Sequence, residues 1–317
     1  MYGCHTVAAI QIPQNRMNPG IVFTERYLKL MFNQLRDATP EEVEEELEHC
    51  RRENRRTVRV PRYFRGYFAA EKITTSKGYE MQYFCHKCGS RKLVFYNHGG
   101  AFIYPPVFFH WRFMHDLGLR SHCDILMPVY PKSPEYTCVD TVGSLLEFYH
   151  QVVEKLDYGE IHFMGDSAGA HLSLVLAQEV AQRGWRKADS VTLLSPCVDL
   201  SHTKEAEMRA LQEKDRMLQL DRVITLNAVW QGELPVKHPW VSPIFGDFSG
   251  VDNLSVYFGS DEILKPDSLF LKETYEKTGK SGVFREYEGM FHTFPLFPIP
   301  QGFEVAKEIA KGVRNDK

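Results

Sequence analysis

Two rhythms of hydrophobic and polar positions run along this chain. Residues 93–96, Leu-Val-Phe-Tyr, form a short apolar run of the kind that makes a strand buried on both faces. From there strand-like and helix-like runs alternate. A helix is predicted over about 108–121, a strand over 125–130, a helix over about 139–156, a strand over 160–164, a helix over 168–183 and a strand over 191–194. After an interruption the rhythm resumes with a strand over 254–258, a helix over about 266–277, a strand over 283–287 and a last helix around 302–313. This alternation predicts an α/β fold with a mostly parallel central sheet covered by helices on both faces. Pro128 fits poorly inside an apolar strand and marks either a bulge or a wrong boundary there.

Upstream the pattern differs. Residues 67–85 alternate, with Ile73, Tyr79, Met81 and Tyr83 flanking Ser76-Lys77-Gly78, and read as a β-hairpin. Residues 23–35 are apolar at helical spacing, and 1 to about 20, with Pro13, Pro19 and Gly20, read as an arm. A second helix opens at Thr39-Pro40-Glu41-Glu42, where threonine can cap and proline suits the first turn. It ends in Arg51, Arg52, Arg55 and Arg56, which complement the helix dipole and are balanced by the helix's own glutamates.

Composition narrows the class. The chain has 317 residues with 43% hydrophobic and 13% aromatic content, enough for one large core, so a single domain over 1–317 is expected. A net charge of -3 gives no pull toward nucleic acid or an anionic membrane surface. No apolar run approaches the ~18 residues of a membrane span. The first residues carry neither a basic nor an apolar leader pattern, and a cytoplasmic location is the expectation. Seven cysteines, an odd number, fit reduced thiols better than a disulfide framework. Cys85-His86-Lys87-Cys88 is half of a zinc pattern with no second half, so a turn between two strands is expected and no metal or cofactor.

The candidate chemistry sits at Gly165-Asp166-Ser167-Ala168-Gly169. A buried-strand pattern precedes it and a helical one follows, which is the context of a G-x-S-x-G nucleophile elbow; an ordinary glycine-rich turn would give the same letters. A serine hydroxyl needs a base within hydrogen-bond reach and a carboxylate that orients the base. In the elbow arrangement these follow in the order acid, then histidine. Beyond residue 258 the one histidine is His292, and His171, His202 and His238 lack a sheet-end acid before them. Asp261 and Glu262 both qualify as the acid, and spacing does not choose between them. Backbone N–H donors for an oxyanion are expected at Ala168, after the nucleophile, and at Gly99 and Gly100, after the strand at 93–97.

These motifs together resemble the hormone-sensitive-lipase-like esterase family of α/β hydrolases. The resemblance spans roughly 67–312 and rests on His98-Gly99-Gly100-Ala101-Phe102, Tyr130 with Pro134-Glu135, the elbow, Ser242-Pro243, and Gly289-Met290-Phe291-His292. It implies a serine carboxylic-ester hydrolase acting on short- to medium-chain acyl esters without cofactor or metal. It also implies a cap built from about 21–58 and 199–247 over a catalytic core at about 67–198 and 248–317. Aromatic residues of that cap, Phe23, Tyr27, Phe32 and Trp230, would favour apolar acyl or aryl groups. Counting from Gly259 to Leu264, the family's acid falls on Glu262, with Asp261 as the close alternative. Ala101 stands where the family commonly has a third glycine. The partner implied is a small-molecule ester, with no nucleic acid and a homodimer left open. An amidase such as an aryl-formamidase shares the His-Gly-Gly turn and triad, and a non-catalytic small-molecule receptor shares the fold.

Overall fold

The computed structural model describes residues 40–314, and the expected arm, the helix over 23–35 and the aromatic residues Phe23, Tyr27 and Phe32 lie outside them. Helix α1 (Pro40–Asn54) carries Glu41 and Glu42 in its first turn and Arg51 and Arg52 in its last, as a helix dipole favours. A hairpin of β1 (Phe68–Thr74) and β2 (Glu80–His86) follows, with Gly78 taking the left-handed φ of +82° that its turn requires.

The parallel part comprises β3 (Lys92–Asn97), β4 (Asp124–Pro128), β5 (Glu160–Asp166), β6 (Ser190–Leu194), β7 (Leu254–Gly259) and β8 (Val283–Tyr287). Among the described residues the sheet has eight strands in the order β1-β2-β4-β3-β5-β6-β7-β8, with β1/β2 and β2/β4 antiparallel and all other neighbours parallel. The connections are α2 (Phe108–Ser121), α3 (Cys138–Phe148), α4 (Ala168–Gln182) and α7 (Lys265–Lys277), and α8 (Pro300–Arg314) closes the chain.

Period two along each strand sorts the core into two layers. Leu93, Phe95, Ile161, Phe163, Val191, Leu193 and Val256 face α3, α4 and α7. Val94, Tyr96, Met164, Leu194 and Tyr257 face α2 and α8 on the other side. Apolar residues are therefore favoured on both faces, and the polar exceptions are few: His162 in β5, Thr192 in β6 and Ser255 in β7.

Two boundaries differ from expectation. Pro128 is the last residue of β4, opposite Tyr83. The next residue, Val129, donates its N–H to the Gln82 carbonyl at 2.8 Å, so an N–H at 128 would face β3, whose pairing with β4 already stops at Leu126. The proline thus removes no ladder bond. The helix expected to reach 156 is α-helical only to Phe148 and continues as one π turn over Tyr149–Val153, closed by Glu154 N–H to the Tyr149 carbonyl at 2.9 Å. The wider turn buries Phe148, Tyr149 and Val153 together.

Between β6 and β7 lie α5 (Glu205–Leu211) and α6 (Leu220–Gln231). Helix α6 meets α1 through a cluster of Leu47, Cys50, Ile103 and Leu226, and Arg222 pairs with Glu46 while donating to the Tyr104 hydroxyl at 2.7 Å. Among the described residues no helix is long and apolar enough to cross a membrane.

Phe95 is 0% exposed in the central strand, in contact with Phe148, Tyr149 and Phe163. Phe95→Ala is expected to lower the unfolding free energy by roughly 3–5 kcal/mol, measured by urea titration followed by circular dichroism.

Candidate active site

The elbow follows from backbone crowding at the ends of β3 and β5. A Cβ at Gly165 or at Gly169 would come within 3.0 Å of the Asn97 carbonyl oxygen, so neither position accepts a side chain without moving the end of β3. Ser167, between them, has φ +52° and ψ −122°, a costly conformation for a non-glycine residue of roughly 1–3 kcal/mol. Its N–H donates to the Leu194 carbonyl at 2.9 Å, and the Ser173 hydroxyl, within the following helix, lies 2.9 Å from the carbonyl oxygens of both Met164 and Gly169. These contacts hold the strained turn at the sheet end and the N-terminus of α4.

Two further loops converge on Ser167 from the ends of β7 and β8. A Cβ on Gly259 would come within 3.0 Å of the Met290 carbonyl oxygen, so the loops carrying residues 260–264 and 289–292 lie backbone against backbone. His292, 3% exposed, places Nε2 at 2.9 Å from Ser167 Oγ and Nδ1 at 2.8 Å from Glu262 Oε2. The other Glu262 oxygen accepts the Gly259 N–H at 2.9 Å, and the side chain is 0% exposed. An ionised Glu262 fixes the proton of neutral His292 on Nδ1 and leaves Nε2 as acceptor for the serine hydroxyl. Burial is the largest single effect on His292 and disfavours its charged form. The hydrogen bond and charge of Glu262, with the charges of Asp215 and Asp166, more than offset burial and raise the imidazole above its ordinary pKa.

Asp261 takes the Ser260 hydroxyl at 2.9 Å instead, while its N–H goes to the Met290 carbonyl; the imidazole is bonded by its neighbour Glu262. The remaining histidines considered in the sequence stay away from the Ser167 hydroxyl. His171 bridges the carbonyls of Cys197 and Trp240, His238 accepts the Trp240 N–H, and His202 is half-buried beyond β6.

The glycine loop after β3 corrects one expectation. Gly99 N–H is not free for an oxyanion, because it donates to Asp166 Oδ1 at 3.0 Å. The same carboxylate accepts the Tyr96 hydroxyl at 2.6 Å and meets His110 Nε2 at 3.3 Å, while His110 Nδ1 accepts the Val107 N–H at 2.9 Å. Burial favours the neutral form of Asp166, but His110 and the hydrogen bonds from Tyr96 and Gly99 outweigh it and hold the carboxyl below its usual range. Gly100, at φ +119°, and Ala101, at φ +50°, follow in the left-handed region. The Gly100 carbonyl accepts the N–H groups of Ile103 and Tyr104, which curls the loop. Among the described residues none accepts the N–H of Gly100, Ala101 or Ala168. No sequence motif announces the contact between Asp166 and His110. Asp166 occupies a variable position of the motif, and nothing local links it to a histidine 56 residues earlier.

Of the Cys85–Cys88 segment, Cys85 and His86 are the last residues of β2 and only Lys87 and Cys88 belong to the link to β3; His86 contacts both His115 Nδ1 (3.1 Å) and the Cys88 sulfur (3.5 Å). Among the described residues no group of three or more histidine, cysteine or acidic side chains is arranged to hold a metal ion.

With this fold and geometry in view, comparison with known proteins places the chain. A sequence family described as alpha/beta hydrolase fold matches residues 94–296, and the chain belongs to it. It is similar to an esterase of Acinetobacter venetianus, 28% identical over 229 residues, which cover 71% of this chain and 75% of that protein. Among solved structures, a Staphylococcus aureus protein described as a candidate esterase superposes with a TM-score of 0.81 at 27% identity, over 89% of this chain and 94% of that one. A hormone-sensitive lipase from a metagenome library shares the fold, with a TM-score of 0.77 at 20% identity over 96% of this chain and all of the other.

Crowding at the elbow predicts a contrast between two glycines. Gly169→Ala is expected to destabilise by roughly 1–3 kcal/mol. Gly143→Ala, inside α3 with nothing within 4 Å of the added carbon, is expected to stabilise by roughly 0.5–1 kcal/mol. Urea titration of the two variants side by side reads both signs.

Proposed function

We propose that the protein is a serine carboxylic-ester hydrolase acting on short- to medium-chain acyl esters through an acyl-enzyme. The observation that carries this reading is the hydrogen-bonded chain Ser167–His292–Glu262. Ser167 Oγ attacks the ester carbonyl as His292 Nε2 takes its proton, and Glu262 stabilises the imidazolium that forms. The N–H groups of Gly100, Ala101 and Ala168 serve as donors for the tetrahedral oxyanion, with Asp166 fixing the loop through Gly99. His292 then protonates the departing alcohol. Water, deprotonated by His292, repeats the addition and releases the acid. The name of the Acinetobacter venetianus relative supports ester over amide substrates.

The domain reading belongs to the same proposal: one body over 1–317, with a cap of about 21–58 and 199–247 over a core of about 67–198 and 248–317. The contacts of α1 with α6 support it, as does Trp230, which is fully buried and stacks on Phe102 with ring centroids 3.7 Å apart.

The test is hydrolysis of p-nitrophenyl esters from acetate to decanoate. Ser167→Ala is expected to abolish turnover, and Glu262→Gln to lower kcat by roughly 10³- to 10⁴-fold. Asp261→Asn is expected to change kcat by less than about threefold, since its carboxylate does not touch the imidazole. Because His292 must be neutral to act as base and its pKa is raised, the acid limb of kcat/KM is expected above the ordinary histidine value, with activity falling as pH drops through it. Glu262→Gln should move that limb to lower pH. Equal inertness of wild type and Ser167→Ala on every ester would overturn the proposal.

A further inference from the structure

The segment between β6 and β7 sends one buried carboxylate toward His292. Asp215, 1% exposed, lies in the link between α5 and α6. Its Oδ1 accepts the N–H groups of Met217 and Leu218 at 2.8 and 2.9 Å, which closes the local turn. Its Oδ2 reaches across to the loop after β7 and accepts the N–H of Ile263, the residue after Glu262, at 2.7 Å. Turn closure does not require this reach. Gln212 already ties the same link, donating to the Leu218 carbonyl at 2.9 Å and accepting the Leu220 N–H at 2.8 Å.

The neighbouring loop is held in a matching way. Thr293 N–H, on the residue after His292, donates to Ser195 Oγ at 2.9 Å. The backbone following each of the two triad partners is thus pinned by a buried side chain from outside its loop. The pin beside Glu262 differs in carrying an acidic group.

We propose that Asp215 is a positioning residue for the triad: it clamps the Glu262–Ile263 backbone so that Glu262 stays on His292, and its negative charge favours the imidazolium formed during acyl transfer. This inference rests on the ester-hydrolase reading. Protons move only among Ser167 Oγ, His292, the leaving alcohol and the attacking water, and none passes to Asp215. Three charged groups act on the imidazole, namely Glu262 from the loop after β7, Asp166 from the elbow and Asp215 from the inserted segment. Burial pushes the Asp215 carboxyl above its usual range, while the three N–H donors and His292 act the other way. Those donors all need an acceptor oxygen, so the carboxylate is the form its surroundings satisfy.

The test compares Asp215→Asn with wild type, Ser167→Ala and Asp247→Asn on p-nitrophenyl butyrate across the acid limb. Asp247 is an exposed carboxylate of the same inserted segment and controls for loss of charge. Asp215→Asn is expected to lower kcat roughly 10- to 100-fold, with KM within about twofold, and to move the acid-limb midpoint to lower pH. Asp247→Asn should match wild type. An active wild type and inert Ser167→Ala with an unmoved midpoint in Asp215→Asn would overturn this inference alone, whether or not kcat fell. An inert wild type would overturn the ester-hydrolase reading and this inference with it. If Asp215→Asn is insoluble, Asp215→Ser, which keeps an acceptor oxygen without the charge, is read the same way. Insolubility of both would make Asp215 a folding residue and overturn the assignment.

Discussion

The backbone crossing at the elbow is the constraint on which the rest of the site depends. The Asn97 carbonyl at the end of β3 occupies the space that side chains at 165 and 169 would need, so β3, β5 and the first turn of α4 meet backbone to backbone. That closeness keeps Ser167 in a left-handed conformation that an isolated turn would abandon. Asp166 extends the same constraint outward, joining Tyr96 on β3, the Gly99 loop and His110 on α2 in one buried network. Ser167 and the glycine loop after β3 are therefore set by a single junction.

The electrostatics of the site follow from how that junction is surrounded. Removing an imidazole from water disfavours its charged form, and a site with burial alone would hold His292 neutral but unable to stabilise the imidazolium. Acidic groups from separate parts of the chain reverse the balance, with Glu262 in contact and Asp215 and Asp166 farther out. One of them comes from the segment inserted between β6 and β7. The same segment carries α6, which meets α1 through Arg222, Glu46 and Tyr104. Tyr104 in turn backs Gly100, where an added Cβ would press on the Tyr104 carbonyl. Contacts of the inserted segment thus reach both the loop that carries Glu262 and the glycine loop after β3.

Much of this was legible in the sequence because the signals are local. Strands that are buried on both faces are mostly apolar, so the run at 93–96 stands out, and those at 160–164 and 254–258 do so despite His162 and Ser255. The elbow and the terminal histidine carry short motifs with strict backbone demands. What escaped is set by direction or distance. The letters His98-Gly99-Gly100 announce a glycine loop but do not say which N–H points inward, and the structure gives Gly99 to Asp166. Spacing left Asp261 and Glu262 equal, and resemblance to the family favoured Glu262. The geometry separates them by which side chain the loop turns toward the imidazole. Asp215 precedes Ile263 by 48 residues within an inserted segment, and no periodicity links the two. The π turn after α3 likewise depends on burying adjacent aromatic residues against the sheet, a tertiary demand invisible in a helical repeat.

Covalent capture of the serine tests the central claim most directly. Wild type, Ser167→Ala and His292→Ala would be treated with a fluorophosphonate and digested, and the modified peptide located by mass spectrometry. The account predicts one adduct, on Ser167 in wild type, absent from Ser167→Ala and formed far more slowly in His292→Ala. An unmodified Ser167 in folded wild type, or a rate unaffected by loss of His292, would contradict it.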